Sequence, residues 1–132
     1  TATDDAHDYF ETTADEQRFP DANTGDRGFV MVRAERTARS IREALARGDF
    51  YATTGLYFDR VEMDTEHVTI EVTSNQPAFF EAIGEDGTVL LAERTRTFSF
   101  APDELDSSYV RVRARDAAGR RAWTQPVFFD PR

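Results

Sequence analysis

The chain contains no cysteine, and its only two histidines are His7 and His67. The absence of cysteine excludes disulfides, thiolate catalysis and cysteine-based zinc sites. The two histidines lie far apart in the sequence, so they do not identify a Ser-His-Asp triad. Lysine is also absent, and all 16 basic residues are arginine.

Long apolar runs are missing as well. No run approaches the roughly 18 residues that a membrane span requires, and no charged-then-apolar leader is present. The sequence therefore predicts a soluble protein without a membrane partner, and it assigns no compartment. The 132 residues suit one domain, which is long enough to bury a core.

The charge balance and the glycine-rich stretches exclude further function classes. The net charge of −9 disfavours a phosphate backbone, so no nucleic-acid partner is predicted. The stretches ATTGLY and GEDG lack the spacing of a P-loop or a dinucleotide fingerprint. Carboxylates are abundant, but nothing in the sequence singles out a glycosidase pair.

One helix is predicted over residues 38–47, in RTARSIREALARGD. Thr37 or Ser40 can cap its start, and Gly48 suits its end. The apolar residues of one helix face are Ile41, Ala44 and Leu45. The preceding FVMVRA, residues 29–34, indicates a short strand.

After Gly48 the apolar period changes to two, which is typical of strands. In SYVRVRARD the pattern points Val110, Val112 and Ala114 inward. Similar stretches are FYATT, LYFDRVEM, HVTIEVTS, AFFEAIG, TVLLAE, TRTFSF and AWTQPVFF. This pattern predicts a mainly β fold, an immunoglobulin-like antiparallel β-sandwich with one preceding α-helix and an irregular N-terminal segment. Pro126 indicates an edge or a bulge in the last strand.

Two groups of side chains on these strands carry open alternatives. The outward Arg111, Arg113 and Arg115 form either an anion or sugar-acid patch, or cross-strand ion pairs with Glu62, Glu71 or Glu81. The aromatic pairs 79–80, 98–100 and 128–129 form either a sugar-binding platform or core. Cross-strand ion pairs are the favoured interpretation for the arginines, and core packing is favoured for the aromatic pairs. Trp123 is also expected to pack in the core.

The stretch DDAHD near the start is the candidate metal motif. On an extended backbone Asp5 and His7 point the same way, so a carboxylate oxygen and an imidazole nitrogen can meet at one cation. Such ligands suit Zn, Mn or Fe. Asp4 and Asp8 would face away, and Glu11 is a stray contributor at most. Two ligands do not hold a metal, and a solvated acidic terminus is the open alternative.

The opening TATDDAHD resembles the last metal-binding motif of the PHP superfamily, the polymerase and histidinol phosphatase metal-dependent hydrolases. The D-A-H match falls on Asp5, Ala6 and His7. The stretch VMVRAERTARSIREALARGDFYATTG resembles the exit from such a catalytic domain, where a helix with an eAL-x-x-G-x-FYa-x-TG pattern leads into a C-terminal sandwich. IGEDGTVLL and YVRVRARDAAGRRAWTQPVFF also resemble that sandwich.

The resemblance implies a parent phosphoesterase in which a metal-bound hydroxide attacks the substrate. Asp5 and His7 would be metal ligands, and the family's His-x-His pair would lie upstream of Thr1. The implied organisation is the tail of a PHP-like catalytic domain over residues 1–36, a linking helix over 37–48 and a β-sandwich over 49–132.

Two functions therefore remain open. In the first, the chain is the C-terminal part of a PHP-like hydrolase and is inactive alone. Its partner is the missing N-terminal catalytic domain, and the divalent metal binds only in the full-length parent. In the second, the chain is a non-catalytic sandwich module that binds a glycan or a protein.

Overall fold

The computed structural model describes residues 27–64 and 69–128. Within them one helix and eight strands follow the chain. The helix α1 spans Ala38–Arg47. The strands are β1 Phe29–Val32, β2 Phe50–Thr53, β3 Phe58–Asp64, β4 Thr69–Ile83, β5 Val89–Phe100, β6 Tyr109–Arg115, β7 Arg121–Trp123 and β8 Val127–Phe128.

The eight strands form one curled antiparallel sheet. Its order is β1-β2-β7-β6-β4-β3, while β5 pairs with β4 and β8 pairs with β6. The predicted class, a mainly β antiparallel sandwich preceded by one helix, is confirmed. The strand β1, which precedes the helix, pairs with β2 from Phe29 opposite Thr53 to Val32 opposite Phe50, so it belongs to the same sheet. No helix within the described ranges is long and apolar enough to span a bilayer.

The long β4–β5 pair connects the two parts of the sheet. The first half of β4 pairs with β3 on one side, and its second half pairs with β6. Between the halves the β4–β5 register shifts between Thr73 and Ala78, in a segment that contains Pro77. The Ser74 hydroxyl is buried there and donates to the Gln76 carbonyl oxygen. The sequence predicted separate strands on either side of this segment, and this was wrong because β4 continues through the register shift and its pairing with β5 resumes at Ala78.

The core lies between the halves of the curled sheet. Phe80 is 0% exposed and stacks on Phe58 and Phe98, with ring centroids 6.1 and 5.5 Å away. The inward positions predicted for β6 are confirmed, since Val110, Val112 and Ala114 are all 0% exposed. Burial of such apolar surface stabilises the fold by about 25 cal/mol per Å².

The helix and its caps match the predicted boundaries. The Thr37 hydroxyl accepts a hydrogen bond from the Ser40 backbone N–H at 3.1 Å, which satisfies a donor of the first turn. Gly48 ends the helix with φ of 82°, a left-handed conformation that glycine adopts without a steric penalty. The Asp49 N–H donates to the Ala44 carbonyl oxygen at 2.9 Å and turns the chain into β2.

A tight turn after β2 completes the junction between helix and sandwich. The buried Thr53 hydroxyl donates to the Leu56 carbonyl oxygen at 2.6 Å and accepts from the Gly55 N–H at 2.9 Å. Gly55 has φ of 110°, which disfavours any residue with a side chain. The Tyr51 hydroxyl accepts from the Phe58 N–H at 3.1 Å and links this turn to β3. The chain path from α1 to β3 is therefore fixed by local hydrogen bonds.

The apolar face of α1 is largely uncovered. Of its residues only Ala44 is buried, while Ile41 and Leu45 are each 40% exposed. Met31 on β1 is also exposed. The helix therefore presents apolar side chains to the outside of the described fold, which is unusual for a helix that only supports one sheet.

Candidate functional site

A groove on the outer face of the sheet is a concave feature of the described residues. Its volume is about 760 Å³, within the usual range for ligand sites. Three aromatic residues line it, together with Arg111 and Gln125. The aromatic residues are Tyr109, Trp123 and Phe128.

Strand alternation explains why β6 supplies this groove. Even-numbered residues of β6 point into the core, so Tyr109 and Arg111 emerge on the outer face. The Tyr109 ring contacts that of Phe128 on β8, with centroids 5.7 Å apart. Trp123 lies opposite Arg113 on the neighbouring strand β7 and is partly exposed. The prediction that Trp123 anchors the core was wrong, because the odd positions of β7 share the face of the odd positions of β6.

A second recess lies on the same face and is lined by Phe79, Glu81, Arg113, Arg115 and Arg121. Arg113 donates from Nε to Glu81 at 2.7 Å, and this hydrogen bond raises the pKa of the Arg113 guanidinium. The predicted cross-strand ion pair is thereby confirmed for Arg113. Arg115 has a different neighbour, since it lies directly opposite Arg121. Two like charges in that arrangement destabilise a sheet.

The other two outward arginines of β6, Arg111 and Arg115, have no carboxylate partner among the described residues. Arg111 and Arg115 are exposed, and Arg111 lies opposite the apolar Ile83. Arg115 lies opposite Phe79, which is 40% exposed and faces Arg94 on its other side. The interpretation of these three outward arginines as members of cross-strand ion pairs therefore holds for Arg113 alone.

The aromatic pairs divide between core and surface. Phe80 and Phe98 are buried, and Phe100 packs against the core. Phe79 is half-exposed, and Phe128 is 70% exposed at the groove. The core interpretation is thus right for the first three and wrong for Phe79 and Phe128. Phe129 lies outside the described residues.

The β6–β7 turn contains a buried charged group. Asp116 is 7% exposed, and its carboxylate accepts from the Arg120 side chain at 2.6 Å and from the Gln76 amide at 2.7 Å. Burial opposes ionisation of Asp116, but hydrogen bonds from Arg120 and its charge outweigh this and lower the pKa of that carboxyl. Every acceptor atom of Asp116 is engaged within the fold, so we assign it a structural role.

The predicted metal ligands, Asp5 and His7, lie outside the described residues. The same is true of Asp4, Asp8, Glu11 and His67. In the part of the chain that the structure describes, no three His, Cys, Asp or Glu side chains are grouped to hold a metal ion. That part also contains no histidine and no cysteine.

Comparison with protein-family models, with curated protein sequences and with solved structures finds no match to the chain.

Proposed function

We propose that the chain is the C-terminal part of a PHP-like metal-dependent hydrolase of the phosphoesterase type, and that its sandwich is an accessory domain without turnover of its own. The proposal rests on the junction between α1 and β3. The pattern glycines Gly48 and Gly55 adopt φ of 82° and 110°, and Tyr51 makes a specific hydrogen bond there. The residues that carry the resemblance therefore form one defined structural unit.

The uncovered face of α1 supports the same proposal. Ile41, Leu45 and Met31 leave an apolar surface exposed on the side of the helix and β1. A catalytic domain that precedes the sandwich would bury this surface. Asp5 and His7 would contribute ligands to its divalent metal, Zn, Mn or Fe, which supplies a hydroxide nucleophile at neutral pH.

The test of this proposal uses the coding sequence upstream of Thr1, which is expected to encode a barrel with a His-x-His pair near its start. In that longer protein, Asp5→Ala and His7→Ala should each lower phosphoester hydrolysis by more than about 100-fold, because loss of a ligand exceeds the cost of losing a supporting contact. Hydrolysis rates and melting temperatures of the purified variants provide the measurement.

The control is Asp21→Ala, which removes a carboxylate that also precedes β1 but lies outside the D-A-H motif. It should leave the rate unchanged, and none of the three variants should alter the melting temperature of the sandwich. Full activity of His7→Ala would contradict the proposal, and so would turnover by the isolated chain with added Mn or Zn.

A second candidate function is a non-catalytic module that binds a glycan, and the aromatic groove favours it. Tyr109, Trp123 and Phe128 present ring surface to a concavity of ligand size. Partly exposed aromatic rings contribute large contact areas at a low entropic cost and retain polar edges for hydrogen bonds.

Isothermal calorimetry of the isolated chain against a panel of neutral and acidic oligosaccharides tests this second function. Binding should weaken at least tenfold in Trp123→Ala, because stacking on the indole would be lost. The control variant is Tyr57→Ala, which removes an aromatic ring that is 41% exposed outside the groove. No heat with any oligosaccharide, or equal loss in both variants, would argue against a glycan site in the groove.

A further inference from the structure

The two recesses are parts of one surface, which we call the outer strip. Arg113 of one recess and Trp123 of the other are direct cross-strand neighbours, so the recesses adjoin. The outer strip consists of Tyr109, Arg111, Arg113, Arg115, Arg121 and Trp123.

The charge of the outer strip is not balanced within the fold. It contains four arginines, and among the described residues the only carboxylate that pairs with one of them is Glu81, which engages Arg113. Arg111, Arg115 and Arg121 make no ion pair with the described part of the chain. The register places Arg115 directly opposite Arg121, and an anion bound between these two like charges would relieve their repulsion. This local cationic surface, on a chain with a net charge of −9, is therefore a candidate site for an anionic ligand.

The length of the outer strip indicates an oligomeric ligand. Arg111 and Arg115 are separated by four strand residues, or about 13 Å. A single small anion bridges Arg115 and Arg121 but does not also reach Arg111. A ligand that satisfies all three must therefore carry at least two negative groups along an extended chain.

Resting on the glycan-binding function above, we propose that the outer strip binds an acidic oligosaccharide whose sugar residues carry carboxylates, such as a uronic-acid oligomer. Guanidinium groups bind carboxylates through two parallel hydrogen bonds, which Arg111, Arg115 and Arg121 are free to donate. Trp123 and Tyr109 supply flat surfaces for the C–H faces of the sugar rings. Gln125 in the same groove can bond the hydroxyl groups at the ring edges.

An acidic peptide fits the outer strip less well. A peptide that binds to a sheet by strand addition needs a free sheet edge, whereas β6 and β7 are paired with neighbours on both sides. A nucleic acid carries about one charge per 1.7 Å along a duplex, which is denser than one carboxylate per sugar residue, so the overall negative charge of the chain opposes it more strongly.

The experiment measures calorimetric binding of a galacturonic-acid tetramer and of its neutral methyl ester to the full chain. The acid form should bind at least tenfold more tightly, because only it offers carboxylates to the arginines. Arg111→Gln and Arg115→Gln should each weaken binding of the acid form about tenfold and weaken binding of the ester by a smaller factor. Arg42→Gln on α1 is the matched control and should behave as the unmodified chain.

The possible outcomes separate the inference from the function on which it rests. Equal affinity for acid and ester would overturn the carboxylate inference and leave a neutral glycan site. If neither tetramer binds and no oligosaccharide of the wider panel gives heat, both the carboxylate inference and the glycan-binding function are overturned. Tighter binding of single-stranded DNA or of polyglutamate than of the acid tetramer would also overturn the inference, since the ligand would then belong to another class.

Discussion

Replacing Phe80 by alanine is expected to lower the free energy of unfolding by about 4 kcal/mol. The side chain is 0% exposed and lies between the rings of Phe58 and Phe98, so its removal leaves a cavity that neither neighbour can fill. The loss combines the transfer free energy of the ring with the lost contacts around the cavity. Urea unfolding followed by circular dichroism measures the effect.

The neighbouring Phe79 provides a matched control for this experiment. It is the same residue type on the same strand, but it is 40% exposed on the outer face. Phe79→Ala is expected to cost about 1.5 kcal/mol, well below the loss for Phe80→Ala, since 40% of the Phe79 surface stays in water. If both variants lost the same stability, the assignment of the core face of β4 would be wrong.

Replacing Asp116 by alanine is expected to lower the free energy of unfolding by about 3 kcal/mol. The change removes the acceptor of the Gln76 amide and the Arg120 guanidinium, and the backbone N–H of Arg120 loses its partner as well. The control is Asp59→Ala. Asp59 is exposed, and its ion pair with Arg96 at 3.8 Å is worth less than about 1 kcal/mol.

The same carboxylate makes stability depend on pH. The pKa of Asp116 is lower in the folded protein than its ordinary value of 3.8. Its contribution is therefore fully present above the unfolded pKa and is lost as the pH falls through the folded pKa. The stability difference between the unmodified chain and Asp116→Ala should shrink below about pH 4. A difference that stays constant down to pH 2, in urea titrations at each pH, would contradict the charged network.

The helix was predictable from the sequence to its last residue because its signals are local. Thr37, the apolar spacing and Gly48 act within one or two turns, and no distant partner is needed to define them. The inward face of β6 was predictable for the same reason, since alternation is a property of one strand. These features define the fold class.

The continuity of β4 was not predictable, because Pro77 and the polar residues around it resemble a turn. In the structure the β4–β5 register shifts there, and the pairing resumes at Ala78. The last predicted strand divides instead, and Pro126 lies between β7 and β8. Such breaks depend on which strand lies alongside, and the sequence of one segment does not contain that information.

The candidate binding face was only partly predictable. The outward direction of the β6 arginines followed from alternation, and a sugar-acid patch was one of the two interpretations. The contact between Arg115 and Arg121 depends on the register of β6 with β7, and the exposure of Trp123 depends on the same pairing. Register is set by the whole sheet. The metal motif at Asp5 and His7 remains a prediction from sequence.

The long β4–β5 hairpin also bears on the order in which the molecule assembles. Its two strands are joined by a short 3₁₀ turn at Glu85–Gly87, so their contacts close small loops at a low entropic cost. The contact between Ala52 and Trp123 joins residues that are far apart in the sequence, and closing that longer loop costs about 2 kcal/mol more. This favours a nucleus in the hairpin, with closure of β2 onto β7 as the late step. The aromatic groove includes residues of both β2 and β7, so on this order of events it is completed late in folding.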